Sequence, residues 1–283
     1  MSARAGVLGL GLIGSVWARH LDRDGLLAAS WNRTPKPDAL KAVDRPRDVA
    51  EKADVLIIVV ADPPAVQAVL DDLLPACKER HLVVQSSTVG PRDSLTFQKQ
   101  VEARGARYLE APFTGSKPAA EARKTVFYQG GTRDVVQEAE PILKNISISR
   151  FHVGTNTQAC SLKLAMNLQI ATVSEALCEA LAVTRGAGID DDTFFACMRD
   201  NVVWSPLAEL KEPKLRAADY GPQFSVKHLL KDLRLLTREV DGLPALDMTI
   251  ARLRQAAEHN HGDRDFSVMY ELIEAGIKRA AES

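Results

Sequence analysis

Lys163 and Asn167 stand four residues apart inside a stretch whose other residues are mostly apolar. At helical spacing the two share one face. A lysine between Leu162 and Leu164 is not left without a partner in a dry core. From the residues alone two readings stand: a lysine reaching solvent along its own apolar stem, or a proton donor aimed at a substrate. Two loops offer hydroxyls. Gln85-Ser86-Ser87-Thr88-Val89-Gly90-Pro91 follows one apolar run, and Glu110-Ala111-Pro112-Phe113-Thr114-Gly115-Ser116-Lys117-Pro118 follows another, with Thr114 and Ser116 flanking the permissive Gly115. Near the start, Gly9-Leu10-Gly11-Leu12-Ile13-Gly14 has glycines at the spacing of a pyrophosphate cradle. There the first glycine permits a tight turn, the second lets the backbone approach a phosphate, and the third lets helix and strand pack closely.

The elements that would position these groups are legible as periodicity. Gly6–Leu8, Leu26–Trp31, Val55–Val60, Leu82–Val84 and Arg107–Ala111 read as buried strands, alternating with helical patterns at Ser15–Asp22, Pro64–Leu74 and Asp93–Ala103. Thr125–Gln129, Asp134–Leu143 and Ile146–Phe151 continue the series. Alternation of this kind predicts βαβ units and a mostly parallel sheet with helices on both faces. The expected fold class is α/β: an N-terminal Rossmann-type doubly wound sheet, a long interdomain helix and an all-α C-terminal domain.

The texture changes after Gly154. From Gln158 to Arg185 there is neither Pro nor Gly, and apolar residues cover nearly every helical face. Such a helix is expected to be buried on most sides and about 40 Å long, enough to link one domain to the next. Asp192–Asn201, Ser225–Val240, Ala245–His259 and Ser267–Ala281 carry further helical spacing. The expected division is residues 1–155 for dinucleotide binding and 156–283 for substrate and oligomerisation. A helical region of this composition points to a homodimer or homotetramer.

The second strand decides which dinucleotide is expected. An NAD site usually has Asp or Glu there for the ribose 2′-hydroxyl. This chain has Asn32, Arg33 and Thr34, followed by Lys36. A guanidinium can bond a 2′-phosphate bidentately, with Asn and Thr adding neutral donors. NADP(H) is therefore the expected cofactor. Val60, Ala61 and Asp62, at the end of the Val55–Val60 run, are counted with its site, together with Gly9, Leu10, Gly11, Leu12, Ile13 and Gly14.

Composition excludes several other classes. The 283 residues carry 36 Lys+Arg against 37 Asp+Glu, a net charge of -1 that gives no general pull toward nucleic acid or an anionic membrane. Four scattered cysteines without a C-x-x-C pair fit a reducing, cytoplasmic setting and no zinc ribbon. The apolar run from Ala5 to Ala18 is broken by glycines and lacks a small-x-small cleavage site, so it is not read as a signal peptide. His259 and His261, with Gly262 next to them and no companion cysteine, read as an exposed helix end rather than a metal site.

Taken together, these segments resemble the β-hydroxyacid dehydrogenase family over essentially the whole chain. Glu110-Ala-Pro-Phe-Thr-Gly-Ser-Lys117 and Trp31-Asn-Arg-Thr34 are most similar to its glyoxylate/succinic semialdehyde reductase branch. The resemblance implies that Lys163, after Gly154, is the catalytic residue and that Thr114, Gly115, Ser116 and Asn167 bind substrate. It implies further that Thr88 lies near the nicotinamide ribose, that Lys231 of the Lys231-Asp232 pair contributes to the cofactor site, and that Phe224 closes the pocket. Asp232 is counted with the substrate residues, as a group that positions others. Departures from the family pattern are Thr114 for serine, Gln85 for Asp, Thr157 and Ala159 for two glycines, and Met166 for the first of two asparagines.

The expected chemistry follows from charge. As hydride reaches a carbonyl carbon the oxygen becomes alkoxide-like and needs a proton, which Lys163 would supply as general acid. The expected function is NADPH-dependent, reversible reduction of a small aldehyde or 2-oxo acid, such as glyoxylate or succinic semialdehyde. Imine reduction, a 3-hydroxyisobutyrate-type dehydrogenase and a catalytically silent binding domain are the alternatives. Lys163 counts against the first and the last.

Overall fold

The computed structural model describes residues 3–282. In chain order the first elements are β1 (Ala5–Leu8), α1 (Gly14–Arg23), β2 (Leu27–Trp31), α2 (Pro46–Lys52), β3 (Val55–Ile58), α3 (Pro63–Leu73) and β4 (Leu82–Gln85). There follow α4 (Pro91–Glu102), β5 (Arg107–Glu110), β6 (Phe113–Thr114), α5 (Lys117–Glu121), β7 (Thr125–Gly130), α6 (Arg133–Leu143) and β8 (Ser147–Gly154). The helical remainder comprises α7 (Asn156–Gly186), α8 (Asp191–Arg199), α9 (Pro206–Ala217), α10 (Val226–Leu236), α11 (Pro244–Ala256) and α12 (Met269–Glu282).

Strand alternation explains why the sheet is covered on both faces. Val55 and Ile57 of β3 and Leu82 and Val84 of β4 point to one face, where Val16, Trp17 and Leu21 of α1 and Ile142 and Leu143 of α6 cover them. Leu56 and Ile58 of β3 and Val83 of β4 point to the other, against Val66, Val69 and Leu70 of α3 and Phe97 of α4. The strand order is β2-β1-β3-β4-β5-β7-β6, with β8 also paired to β7. The chain reverses direction across the sheet between β1 and β3, so the loops leaving these two strands diverge and open a crevice at their carboxyl ends. The α/β doubly wound class is therefore the observed one. The sheet is parallel from β2 to β5, and β7 runs antiparallel to β5 and β6.

Contacts divide the chain into Met1–Leu164 and Ala165–Ser283, and the division falls inside α7. Among the described residues the second unit is helical throughout. Its core gathers Leu229, Leu230 and Leu233 of α10 with Leu246 and Leu253 of α11, all buried. The buried Glu175 of α7 pairs with Arg252 of α11 at 2.8 Å.

Helix α7 has 31 residues, about 46 Å at the usual rise. It departs from expectation in one respect. Ala165, Met166, Ala176, Ala180 and Val183 are exposed, with Val183 at 65%. An even spread of apolar residues does not by itself say which faces neighbours cover, and here neighbours leave one strip of α7 open. Three helices carried too little periodicity to be expected: α2, α5 and α9, each with Pro in its first turn and the first two of only 7 and 5 residues.

Candidate functional site

The glycine loop joins β1 to α1. Gly9 has φ +106, a conformation L side chains rarely adopt, and a Cβ there would lie 2.2 Å from the Val59 carbonyl oxygen. A Cβ at Gly14 would meet the Gly9 carbonyl oxygen at 2.0 Å, so this glycine is required for close strand–helix packing. Gly11 differs. A Cβ there would meet nothing within 4 Å, which marks open space in front of the loop. That space, beside a helix N-terminus whose first N–H groups lack intrahelical acceptors, fits a pyrophosphate. Leu10 is buried, while Leu12 is 56% exposed and flanks the opening with the half-buried Ile13.

The end of β2 is tied to this loop by one amide. Asn32 Oδ1 accepts the Leu10 N–H at 2.8 Å, and Asn32 Nδ2 donates to the Thr34 carbonyl at 2.7 Å. Asn32 thus shapes the turn through its oxygen and one amide hydrogen. Arg33, Thr34 and Lys36 are exposed around it. At the end of β3, Val60 donates its N–H to Ser87 Oγ at 2.9 Å, Ala61 is exposed, and Asp62 caps α3 by accepting from Ala65 N–H at 2.9 Å. One oxygen of the Asp62 carboxylate is therefore engaged by the helix end.

After β4, Gln85 pins the next turn from both ends of its amide. Its Oε1 accepts from Ser87 N–H at 2.7 Å and its Nε2 donates to the Ser87 carbonyl at 2.8 Å. Thr88 follows, half-buried. An aspartate at position 85 could accept but not donate, so the glutamine makes a contact the carboxylate cannot.

Thr114 closes the two-residue strand β6, which pairs with Val126 of β7. Gly115 follows at φ +134, and Ser116 precedes α5. All three are half-buried, so their hydroxyls and backbone groups are presented rather than enclosed.

Lys163 lies in the third turn of α7 and is 7% exposed. Asn167, one turn on, is fully buried. Its Nδ2 donates to Asp232 Oδ2 at 2.7 Å, and Lys231 Nζ lies 2.7 Å from Asp232 Oδ1. Asp232 therefore links Asn167 to Lys231. Phe224 is half-buried and meets Phe266 edge to face at 5.9 Å between ring centroids.

The sequence reading missed two buried groups. Lys211 and Asp265, 2% and 0% exposed, form an ion pair at 2.8 Å, and Asp265 also accepts from the backbone N–H groups of Gln223 and Phe224. Burial pushes the Asp265 carboxyl up, but the Lys211 charge and these donors outweigh it and hold the group below its ordinary value. The pair fixes the backbone that carries Phe224.

The second missed group is Glu110. It is 0% exposed, and its Oε1 accepts from Gln85 Nε2 at 2.8 Å, while Oε2 faces the hydroxyls of Ser94 at 2.6 Å and Tyr108 at 2.7 Å. Burial pushes the Glu110 carboxyl up to about 8, although the surrounding donors pull the other way. The folded protein thus holds this proton more tightly than the unfolded chain, whose glutamate has the ordinary value of 4.5. The stabilisation is complete below 4.5 and is lost as pH rises through about 8. Wild type should lose melting temperature between about pH 5 and pH 9, and Glu110→Gln should flatten that slope. Parallel slopes for the two proteins in thermal melts would contradict it. The buried His81, whose pKa burial lowers, acts on the other side by costing stability as pH falls below 6.5.

No group of three or more potential metal ligands occurs among the described residues, and His259 is exposed. No described helix is long and apolar enough to cross a membrane.

Comparison with known proteins agrees with this geometry. Residues 4–154 match the family described as the NAD binding domain of 6-phosphogluconate dehydrogenase, and residues 157–273 match the NAD-binding domain of NADP-dependent 3-hydroxyisobutyrate dehydrogenase. The chain is 28% identical to chloroplastic glyoxylate/succinic semialdehyde reductase 2 of Arabidopsis thaliana, over 98% of this chain and 81% of that protein. It is 27% identical to glyoxylate/succinic semialdehyde reductase 1 of the same plant, over 95% of this chain and 97% of that one. Its fold is similar to that of the Mycobacterium tuberculosis 3-hydroxyisobutyrate dehydrogenase solved with L-serine: TM-score 0.88, 21% identity, covering 96% of this chain and 99% of the other. The glycine cradle, the helical second unit and these matches together place the chain in the β-hydroxyacid dehydrogenase family, as an NAD(P)-dependent oxidoreductase acting on hydroxyl and carbonyl groups.

Proposed function

We propose that the protein is an NADPH-dependent reductase of small aldehydes or 2-oxo acids, glyoxylate and succinic semialdehyde among them, with Lys163 as general acid. The observation that carries this reading is a lysine only 7% exposed on α7, one turn from the buried Asn167. A cation kept so far from water is costly unless partners and a task hold it there. Glycines 9, 11 and 14 and the first turn of α1 would hold the pyrophosphate, with Arg33 and Thr34 on the 2′-phosphate and Thr88 and Lys231 toward the nicotinamide end. Bound NADPH supplies the hydride for the carbonyl carbon.

The residues of the chain do the rest. Lys163 Nζ gives a proton to the carbonyl oxygen as negative charge develops there, and takes it back in the oxidising direction. Asp232 holds the Asn167 amide by one hydrogen and so fixes the side chain that would orient substrate. Thr114 and Ser116 offer hydroxyls, and Gly115 an N–H group, to a substrate carboxylate. Phe224 is the aromatic we assign to covering the substrate.

Activity with a panel of aldehydes and 2-oxo acids, run with each reduced cofactor, tests the reading. Turnover of glyoxylate or succinic semialdehyde with NADPH well above that with NADH is expected. Absence of turnover across the panel would refute it. The exposed apolar strip on α7 supports a homo-oligomer, a dimer or tetramer, and the four free cysteines support a cytoplasmic setting.

A further inference from the structure

The buried carboxyl of Glu110 sits where several otherwise separate segments converge. Through Gln85 it reaches the turn after β4, and Ser87 of that turn in turn receives the Val60 N–H at the end of β3. Its own backbone N–H donates to Asn156 Oδ1 at 2.9 Å, and Asn156 opens α7 and donates from Nδ2 to Gln98 of α4 at 3.0 Å. The buried Cys160 thiol lies beside the same carboxyl, one turn before Lys163. Four residues after Glu110 the chain reaches Thr114, at the end of β6.

We propose that Glu110 is a positioning residue. By gripping Gln85 and the first turns of α7 at once, it sets the register of the cofactor-side turn against Lys163. The inference rests on the function proposed above for the role of Lys163, but the bonding it invokes lies wholly within residues 60–160. The chain offers five groups to hold this carboxyl in place: Gln85, Ser94, Tyr108, Cys160 and, through the backbone, Asn156. None of the five is cationic. A carboxyl kept in apolar surroundings solely for packing would be better replaced by a leucine, whereas one bonded on both oxygens specifies a unique arrangement.

Glutamine is the informative replacement. It keeps the shape and the acceptor for Gln85, and the Ser94 and Tyr108 hydroxyls can turn to accept from its amide. Alanine removes the grip and orphans the Gln85 donor. With any carbonyl that the wild type reduces, Glu110→Ala should lower kcat by about 10- to 100-fold, the scale expected when a reacting group is misplaced by about 1 Å. KM for NADPH should change little. The deuterium isotope effect on kcat with 4-deuterated NADPH should rise, because the chemical step becomes limiting. Glu110→Gln should restore most of kcat.

If Glu110→Ala does not fold, Gln85→Leu cuts the same link from its other end and should show the same kcat loss. Hydrogen exchange provides a readout that needs no turnover: Glu110→Ala should speed exchange in residues 86–90 and 156–163 and leave residues 9–14 unchanged. A folded Glu110→Ala or Gln85→Leu protein with wild-type kcat and wild-type exchange in those segments overturns the proposal. If the wild type reduces no carbonyl, the functional reading fails by itself. Exchange then decides the role of Glu110.

Discussion

Replacing Lys163 by methionine should cut turnover by at least about 100-fold while leaving a folded protein that binds NADPH. The lower bound is the usual contribution of a positioned general acid, which ranges over about 10²–10⁴. Methionine approximates the length of the lysine stem and removes only the charged end. At a site 7% exposed, burying a thioether instead of an ammonium costs nothing in desolvation, so folding should survive. The glycine loop between β1 and α1 is untouched, so NADPH affinity should stay near wild type. Stopped-flow or steady-state assays of NADPH oxidation, paired with a binding titration, read both quantities. A folded, NADPH-binding variant with near-wild-type turnover would remove Lys163 from the chemistry and leave a water or another side chain to deliver the proton.

The second large effect is expected at the other end of the cofactor. Arg33→Ala should weaken NADP(H) binding by about 1.5–3 kcal/mol, the usual worth of a hydrogen bond to a charged group, and toward the lower end because Arg33 is exposed. That corresponds to roughly 10- to 150-fold in Kd. Binding of NAD(H), which has no 2′-phosphate, should change little. Calorimetric titration of both cofactors with both proteins measures the difference. Equal affinity of the wild type for the two would falsify the assignment. Raising salt should narrow the NADP preference, since an exposed contact is screened.

How far these groups were legible in the sequence depended on whether their signal was local. The β1–α1 glycines, the strand runs and α7 announce themselves through spacing within a few residues, so the α/β class was readable. The residues that hold the site together were not. Glu110 looks like any residue at a strand end, and its partners Gln85, Ser94 and Asn156 are 16 to 46 positions away. The Lys211–Asp265 pair spans 54 positions, and neither residue lies in a motif that would mark it as buried. Such pairings exist only once the chain has folded, so no window along the sequence contains them. The exposed strip of α7 is the reverse case. Its apolar residues were plain to see, but their neighbours were not.

The amide of Asn32 ties the glycine loop after β1 to the turn after β2. It anchors Leu10 in the phosphate loop with its oxygen and holds the Thr34 carbonyl with its nitrogen. Aspartate has the same outline. Placed here it would keep the bond to Leu10, but it would set an oxygen where a nitrogen now stands 2.7 Å from a carbonyl oxygen. The turn bearing Arg33 would be pushed open by repulsion, and a negative charge would arrive beside the ribose at the same moment. One exchange of NH2 for O would therefore weaken the proposed contact to a 2′-phosphate and build an acceptor for a hydroxyl. On the proposed cofactor reading, Asn32→Asp should lower affinity for NADP(H) and raise it for NAD(H) in one atomic exchange.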